Sequence, residues 1–493
     1  MTTLNAVLTS PDFNCNDLQI SRVRGREAIS QPFEFTVDVV CTEPDDFNFE
    51  ILGARATLEF TLDGASLRET HGIIASATQV FATTRGNQAS AFRLVLVPDV
   101  WKLNLTDLQQ VYLNTSIPNI VKSKFTMNGL TNYEMRLSAT YLPRPMVIQL
   151  HETDRAFINR LTEHNGISYY FLNANGVENI VFTDSPSGFG GVDGHDSVEV
   201  YTDGTRVGVY ELEYSKTASP KTWTVQDYNH HMPLLNVIGT FNEAQGLTGK
   251  VVDFGPHVLT PVDGAALAKM RAEASVAQNR YYRGASDQCW FRAGAPVKFT
   301  GQSNLPSTPL LLVEVEHELV MATAVDQTIH TAGAAPAALE YNNRFRAVDA
   351  TQNYRPPLVT PKPKVAGVLT ATVEPLQPIA GAKDAQIDQN GDYTIRFHFD
   401  PAPMYPAPGS RARSSLPVRM MQALAGPDYG IHFPLRGGVE VFILFVEGDP
   451  DRPIIAAAAP NPITMSPSTQ INAIQSVMRT RSGIAVTFND NSG

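Results

Sequence analysis

The sequence predicts a mainly β protein with a few helices (α+β), built as more than one domain. Apolar and polar residues alternate through the first hundred residues, for example at Phe33, Phe35, Val37 and Val39. This alternation is typical of antiparallel strands with one buried face. The chain also has 493 residues, 43% of them hydrophobic, whereas single cores stop growing near ~250 to 300 residues. We therefore expect at least two domains.

Three segments have helical rather than strand spacing. Residues 153–165 place Phe157 and Leu161 on one stripe, and residues 263–280 are alanine-rich with apolar residues at helical intervals. Pro118 marks the start of a shorter third helix, because proline near the first turn loses no hydrogen bond. The strands are thus interrupted by a few helices.

A proline-rich segment, residues 356–364, divides the chain, because such a sequence favours an extended spacer over helix or central strand. Before it lies a base domain, residues 1–355. After it, residues 365–460 carry five short strand-like segments and an Asn390-Gly391 hairpin turn, which predict an OB-type closed barrel. The predicted barrel strands are 365–373, 392–399, 417–422, 439–446 and 454–459.

One of these strands is apolar on both faces. In residues 439–446, Phe442, Leu444 and Val446 point away from the face that a small barrel would bury. This outer row needs a second surface, which either another domain of the chain or another copy of it provides. Residues 461–493 end in Ile484, Val486 and Phe488, which alternate as in a short strand that needs partners.

Charge and cysteine content exclude several classes of function. The formal net charge is −11, and residues 365–460 carry seven basic against ten acidic residues, so neither nucleic acid nor an anionic membrane surface is an expected partner. Three scattered cysteines do not form a disulfide framework. The N-terminus lacks a basic and apolar signal sequence, so we expect synthesis as a cytoplasmic chain.

The chemical motifs are incomplete. His151-Glu152 lacks a second histidine because Arg155 stands in its place, and the loop 188–194 has no helix behind it to bind phosphate. The Asp388 to Asp392 stretch is better read as a hairpin turn than as half of a calcium loop. His317 lies on an apolar strand face, where a satisfied core histidine is expected. We therefore expect no enzyme activity, cofactor or metal.

Seven strings, in order along nearly the whole chain, resemble the VgrG (valine-glycine repeat protein G) spike family of type VI secretion systems. They are Arg24–Phe35, His71–Ile74, Tyr141–Gln149, Glu152–Phe157, Gly166–Phe171, Arg396–Asp400 and Glu447–Pro453. The chain departs from the family at Phe399, where a tryptophan is usual, and at residues 417–422, which replace a tryptophan-rich stretch.

The resemblance implies a phage-hub-like base of two β-barrel subdomains, an OB-fold, and a stalk, residues 461–493, that begins a trimeric β-helix needle. It implies a homotrimer seated on a hexameric tube of the haemolysin-coregulated type, attached to baseplate proteins. The needle would carry a PAAR-repeat tip and effectors, and would touch membranes only by puncture. The trimer-interface candidates are Phe442, Leu444, Val446, Ile484, Val486 and Phe488.

The implied function is to cap the secretion tube and deliver effectors. The protein would be assembled in the bacterial cytoplasm and then leave, without a signal peptide, for the extracellular space or a target cell. An alternative is the baseplate hub of a contractile phage tail or a phage-like bacteriocin. A more distant alternative is a spike-linked effector enzyme.

Overall fold

The computed structural model describes residues 4–41, 50–80, 90–174, 176–190, 194–201, 208–321, 340–374, 387–400 and 415–490. The α-helices in these ranges are α1 Ile117–Met127, α2 Asp154–His164 and α3 Pro261–Asn279. The strands are β1 Leu4–Thr9, β2 Leu18–Ala28, β3 Gln31–Cys41, β4 Arg55–Leu62, β5 Ala65–Val80, β6 Ser90–Val97, β7 Asp107–Thr115, β8 Tyr133–Arg136, β9 Arg144–Thr153, β10 Ser168–Ala174, β11 Val177–Thr183, β12 Ser197–Glu199, β13 Val209–Lys216, β14 Pro220–Asp227, β15 Val237–Asn242, β16 Thr248–Phe254, β17 Arg280–Ser286, β18 Pro296–Thr300, β19 Leu310–Val320, β20 Glu340–Asp349, β21 Leu369–Glu374, β22 Thr394–Phe397, β23 Ala425–Gly426, β24 Tyr429–Gly430, β25 Glu440–Phe445, β26 Pro453–Ala459, β27 Gln475–Arg479 and β28 Ala485–Asn489.

The three predicted helices are confirmed, with small shifts at their ends. Helix α3 begins two residues before the predicted start, because the hydroxyl of Thr260 accepts the amide hydrogen of Asp263 at 3.2 Å and Pro261 occupies the first turn. None of the helices in the described ranges has the length and apolar content needed to cross a membrane.

The chain forms two compact units that are not consecutive in sequence. The first comprises Met1–Leu105, Val121–Thr140 and Arg155–Pro361, and the second comprises Thr106–Ile120, Tyr141–Asp154 and Lys362–Gly493. Two segments from within the predicted base, residues 1–355, therefore belong to the second unit. Their strands β7 and β9 pair with each other, and Ile148 and Leu150 of β9 share a buried core with the barrel strands.

The first unit is organised around a twelve-stranded sheet. Its main path runs β1-β4-β5-β6-β3-β2-β19-β20-β17-β13, with β18 pairing β19 and β12. The predicted alternation on β3 is confirmed, since Phe33, Phe35, Val37 and Val39 are all buried. The family resemblance implies two β-barrel subdomains here, and the structure joins two groups of strands into one sheet through the β2–β19 pair.

Ion pairs cross the solvent face at this junction. Arg22 and Arg26 of β2 contact Glu318 and Glu314 of β19, the second pair at 2.5 Å, and similar arginine and aspartate pairing continues onto β3 and β6. The side chains are partly exposed, so each pair contributes little to stability. Together they keep one face of the sheet polar while the other face is apolar.

Two smaller sheets complete the first unit. The sheet β10-β11-β8 packs aromatic side chains against Phe125 of α1, including Tyr133 and Phe182. The sheet β15-β14-β16 lies against α3, with Gly239 and Gly264 at the closest approach. A Cβ on Gly239 would lie 1.9 Å from the nearest helix backbone atom, so only glycine permits this packing.

The second unit contains a small barrel. Its four-stranded sheet has the order β22-β21-β25-β26, and residues 418–420 bridge both of its edges, at Tyr393 beside β22 and at Ile455 of β26. The predicted strand 417–422 is therefore reduced to isolated bridges. Proline at position 417 has no amide hydrogen to extend the ladder. The barrel is closed, and its assignment as an OB-fold stays a prediction.

The proline-rich segment is extended, but it is tethered to the first unit. Arg355 donates to Glu273 at 2.8 Å and to the carbonyl of Gly166 at 2.8 Å. The carboxylate of Glu163 accepts the amide hydrogens of Val359 and Thr360 at 3.0 and 2.9 Å. An extended proline-rich chain forms no internal ladder, so its amides need such external acceptors.

Replacement of Gly72 by alanine tests the packing of the first unit. A Cβ at this position would lie 2.3 Å from the carbonyl oxygen of Val97, a backbone atom that cannot turn aside. We expect Gly72→Ala to lower the free energy of unfolding by about 1–3 kcal/mol, measured by chemical denaturation. The control is Gly367→Ala, where no atom lies within 4 Å. Equal stability of the two variants would contradict the packing argument.

Candidate functional site: exposed apolar surfaces

The outer face of β25 carries an uncovered apolar row. Val441, Ile443 and Phe445 are buried in the barrel, while Phe442, Leu444 and Val446 are 38%, 37% and 39% exposed. We call these last three residues the outer row. The predicted alternation of the strand is thereby confirmed. The row is bordered by apolar or uncharged neighbours on the adjoining strands, namely Thr370, Ile454 and Ala457.

The chain end forms an antiparallel hairpin of β27 and β28. We expected the strand around Ile484, Val486 and Phe488 to be completed by other copies of the chain. Instead, it pairs with β27 of the same chain, because a turn closed by the Thr480 amide and the Ile484 carbonyl at 2.8 Å reverses the backbone. Gly483 permits this turn with a φ of +95°.

This terminal hairpin is apolar on one face only. Met478 lies opposite Val486, and Phe488 lies two residues further along the same face. These side chains are exposed, as is Ile484. In the described part of the chain the hairpin pairs with no third strand. A two-stranded hairpin alone is only marginally stable in water, so its apolar face needs cover.

A third apolar surface, which the sequence reasoning missed, lies at one end of the sheet β15-β14-β16. The loops 228–236 and 255–262 meet there, since Asn229 donates to the carbonyl of Leu259 at 3.1 Å. Leu234 is fully exposed at 100%. We call the exposed side chains there the loop cluster: Tyr228, Met232, Leu234, Phe254, Leu259 and Val262. The consecutive apolar residues Met232-Pro-Leu-Leu235 in a loop could have indicated this surface from the sequence.

A buried ionic cluster joins β2, β5 and β19. The guanidinium of Arg68 contacts the carboxylate of Glu27, donates to the carbonyl of Phe291 at 2.6 Å, and lies 3.3 Å from Nε2 of His317. Nδ1 of His317 lies 2.7 Å from the hydroxyl of Tyr341. The prediction that His317 is a satisfied core histidine is confirmed.

The pKa values in this cluster follow from burial and from the Arg68 charge. Burial alone would raise the pKa of Glu27, but Arg68 lowers it to about 2. Burial and the same arginine both lower the pKa of His317. Burial raises the pKa of the nearby Cys289 thiol to about 11, so it stays protonated and is a poor nucleophile. The cluster therefore supports the fold and is not arranged for catalysis.

The string Glu447–Pro453, which contains Asp451, also has a structural role in the second unit. One carboxylate oxygen of Asp451 accepts the Ile148 amide hydrogen at 2.6 Å, and the other lies 2.7 Å from Nζ of Lys362. Lys362 also contacts Asp449 at 2.5 Å. The barrel turn is thereby fixed to β9 and to the start of the segment that leads into the barrel.

The remaining sequence motifs are placed as follows. His151 and Glu152 end strand β9 and do not open a helix as a zinc-binding motif would. Asp388 forms the predicted turn, its amide donating to the Asp392 carbonyl at 3.0 Å, with Gly391 at a φ of +84°. The loop 188–194 includes residues 191–193, which lie outside the described residues.

The fold and these surfaces define a class of protein: a β-rich hub whose candidate functional parts are exposed surfaces. The chain belongs to the phage tail baseplate hub (GPD) family, whose model matches residues 26–322. Its fold is similar to that of a solved Escherichia coli protein described as a type VI secretion component resembling bacteriophage T4 tail proteins. That structure has a TM-score of 0.62 and 21% identity, and the match covers 93% of this chain and 100% of the other. The predicted hub-like fold is confirmed.

The chain is also similar to spike proteins of Pseudomonas aeruginosa. It is 28% identical to the type VI secretion system spike protein VgrG1b over 96% of this chain and 63% of that protein. It is 29% identical to VgrG1a over 96% of this chain and 73% of that protein. The chain therefore spans about two thirds of the length of these relatives, and the resemblance to the VgrG family is confirmed.

The buried cluster predicts how stability depends on pH. As pH falls below 6.5, the unfolded chain protonates His317 while the folded chain resists, so stability is lost. The contribution of Glu27 is present above pH 4.5 and is lost as pH falls from 4.5 towards 2. We expect the free energy of unfolding to fall between about pH 7.5 and 5.5, at most about 1.4 kcal/mol per pH unit for His317.

This loss should be smaller in His317→Gln. Tryptophan fluorescence during denaturation reports on the first unit alone, because Trp101, Trp223 and Trp290 all belong to it. The exposed His231 of the first unit provides a matched control, His231→Gln, which should keep the original pH dependence. If His317→Gln also keeps the original pH dependence, the buried cluster does not determine how the free energy of unfolding falls in acid.

Proposed function

We propose that this chain is the hub and spike body of a type VI secretion system, which caps the secretion tube and takes part in delivering effectors by puncture of a target membrane. The hub family match and the similarity to secretion spike proteins support the proposal. The observation that carries it furthest is the amount of apolar surface that the second unit leaves exposed. A scaffold assembled from several copies requires such surfaces.

The proposed working form is a homotrimer. Its interface would include the outer row and the apolar face of the terminal hairpin, which together contain the six candidates Phe442, Leu444, Val446, Ile484, Val486 and Phe488. All six are exposed on the single chain. The barrel, residues 365–460, and the stalk, residues 461–493, would lie near the threefold axis. Residues 491–493 lie outside the described part.

Light scattering tests the trimer. The unaltered protein should have three times the 53.8 kDa mass of the chain. Leu444→Glu places a charge in the proposed interface, so it should weaken association by at least about tenfold, which corresponds to about 1.4 kcal/mol. Leu52→Glu, at an exposed residue of the first unit, is the control and should remain trimeric. A monomeric unaltered protein, or a trimeric Leu444→Glu variant, would count against this interface.

The base, residues 1–355, is proposed to contact a hexameric tube protein of the haemolysin-coregulated type. The loop cluster is our candidate for this contact, because it is the exposed apolar end of a sheet in the first unit. The loops that carry most of these side chains are anchored by Leu235 and Val258, which share a buried core with Leu267 of α3. Loops held by a rigid scaffold are common binding elements.

Leu234→Asp should abolish co-sedimentation with assembled tube protein while leaving the mass of the spike particle unchanged. A charged group in an apolar contact is expected to cost several kcal/mol when it is left without a partner. Leu247→Asp is the matched control, since Leu247 is also exposed but precedes β16 at the opposite end of the same sheet. Equal tube binding by both variants would remove the loop cluster from the interface.

The other roles are proposed on the similarity alone. A needle would carry a PAAR-repeat tip and effectors, baseplate proteins would hold the trimer in the cytoplasm, and the particle would leave the cell without a signal peptide. We propose no enzymatic activity for this chain. The hub family match also favours a second candidate, the baseplate hub of a phage tail or phage-like bacteriocin. The tube protein that co-purifies distinguishes the two systems.

A further inference from the structure

One continuous segment of the second unit, residues 421–434, is exposed along its whole length. All fourteen residues from 421 to 434 are exposed, and they include five large apolar side chains: Met421, Leu424, Tyr429, Ile431 and Phe433. We call this segment the arm. Such a concentration of apolar side chains in one continuous stretch differs from the single exposed residues that most protein surfaces carry.

The arm nevertheless has a defined shape. Strands β23 and β24 pair within it, and the Ile431 amide donates to the Leu424 carbonyl at 2.9 Å. The ring of Tyr429 lies over Gly426, where a Cβ would be 2.3 Å from the ring. At its base, Nε2 of His432 lies 3.0 Å from the hydroxyl of Tyr393, whose ring is buried in the barrel. The arm is thus a preformed hairpin fixed to the barrel at one end.

We propose that the arm packs onto the outer row of a neighbouring copy of this chain. Besides the terminal hairpin, the second unit presents two different apolar surfaces, the arm and the outer row, and neither covers the other within one chain. If the arm of each copy packs on the outer row of the next copy, both surfaces of every copy are covered. A contact of this kind, between unlike surfaces, closes into a ring under cyclic symmetry.

The charge of both surfaces favours this occupant. Residues 421–434 contain one charged side chain, Asp428, and no lysine or arginine. The arm therefore lacks the cations that an anionic lipid surface or a nucleic acid would recognise. Thr370 and Ala457 beside the outer row are likewise uncharged, and Glu440, which continues the same face of β25, already accepts a hydrogen bond from Asn461 at 2.9 Å. Contact between the arm and the outer row therefore leaves no buried charge without a partner.

This inference rests on the proposed trimer and names the contact through which each copy holds the next. It implies that Tyr429 and Leu444 of different copies lie close together, while Tyr429 residues of different copies do not. It also implies that the arm contributes to affinity between copies and not to the folding of one barrel, because its side chains contact little of their own chain.

Cross-linking between two differently tagged populations tests the contact. Both carry Cys15→Ser, since Cys15 is half-buried whereas Cys41 and Cys289 are buried. One population carries Tyr429→Cys and the other Leu444→Cys, and a short bismaleimide is added after co-expression. We expect a cross-linked pair containing both tags. Tyr429→Cys alone, Leu444→Cys alone, and Val177→Cys combined with Leu444→Cys are controls that should give no such pair.

A second variant tests the energetics without cross-linking. The triple variant Tyr429→Ser, Ile431→Ser and Phe433→Ser should raise the concentration at which the particle dissociates by at least tenfold, with the circular dichroism spectrum unchanged. A trimer that gives no mixed cross-link, that links Tyr429→Cys to itself, or that keeps its dissociation concentration in the serine variant overturns the arm contact alone. A protein that light scattering finds monomeric at every concentration overturns both the trimer and the arm contact.

Discussion

A small closed barrel buries only the inward face of each strand, and the arrangement of the second unit depends on this constraint. Strand β25 is apolar in both directions, so burying Val441, Ile443 and Phe445 necessarily leaves Phe442 and Leu444 outside. No rearrangement within the strand avoids this, because a shift of one residue would only exchange the two faces. The outer face of the strand therefore needs a second surface, which the proposed trimer would provide, since a self-sufficient domain would place polar residues there.

The first unit meets a different constraint, the burial of charge. Glu27 and His317 both occupy buried positions of strands whose buried residues are mostly apolar. Arg68 completes the set by contacting the carboxylate and backbone carbonyls, so that the charges are paired and hydrogen-bonded. Removing one member would leave the others unpaired in a region of low polarity, which costs more than the intact cluster gains. The cluster thus ties three strands that are far apart in sequence.

Local patterns in the sequence were sufficient to predict most of the strands and helices. The alternation on β3 and β25 and the stripe on α2 depend only on neighbouring residues, and each was predicted within a few residues. The inclusion of β7 and β9 in the second unit could not be predicted, because it depends on the packing of Ile148 and Leu150 in the barrel core and not on a local pattern. The β2–β19 junction joins residues almost three hundred positions apart, and no local pattern specifies it.

The same difference between local patterns and long-range contacts decides which candidate surfaces could be predicted. The exposure of Leu444 could be predicted because side chains alternate between the two faces of a strand. The loop cluster could not, because it depends on the register of β14, β15 and β16, which brings two loops to one end of the sheet. The pairing of the terminal strand with β27 was not predicted, because the Ser482-Gly483 turn was not recognised, and its contact with other copies stays a proposal. The inward acid Glu27 was a signal in the sequence: a charge at an apolar position of a strand implies a buried partner.

The exposed face of the terminal hairpin has a consequence for how the protein behaves on dilution. A hairpin of two five-residue strands gains little from its own chain, so most of its stabilisation must come from whatever covers Val486 and Phe488. Stabilisation by a partner follows mass action and grows with the logarithm of partner concentration. The melting temperature of this segment is then a property of the solution as much as of the sequence. In the proposed trimer the partner is another copy of the chain, so the local concentration of newly made chains in a cell would set when the hairpin becomes stable.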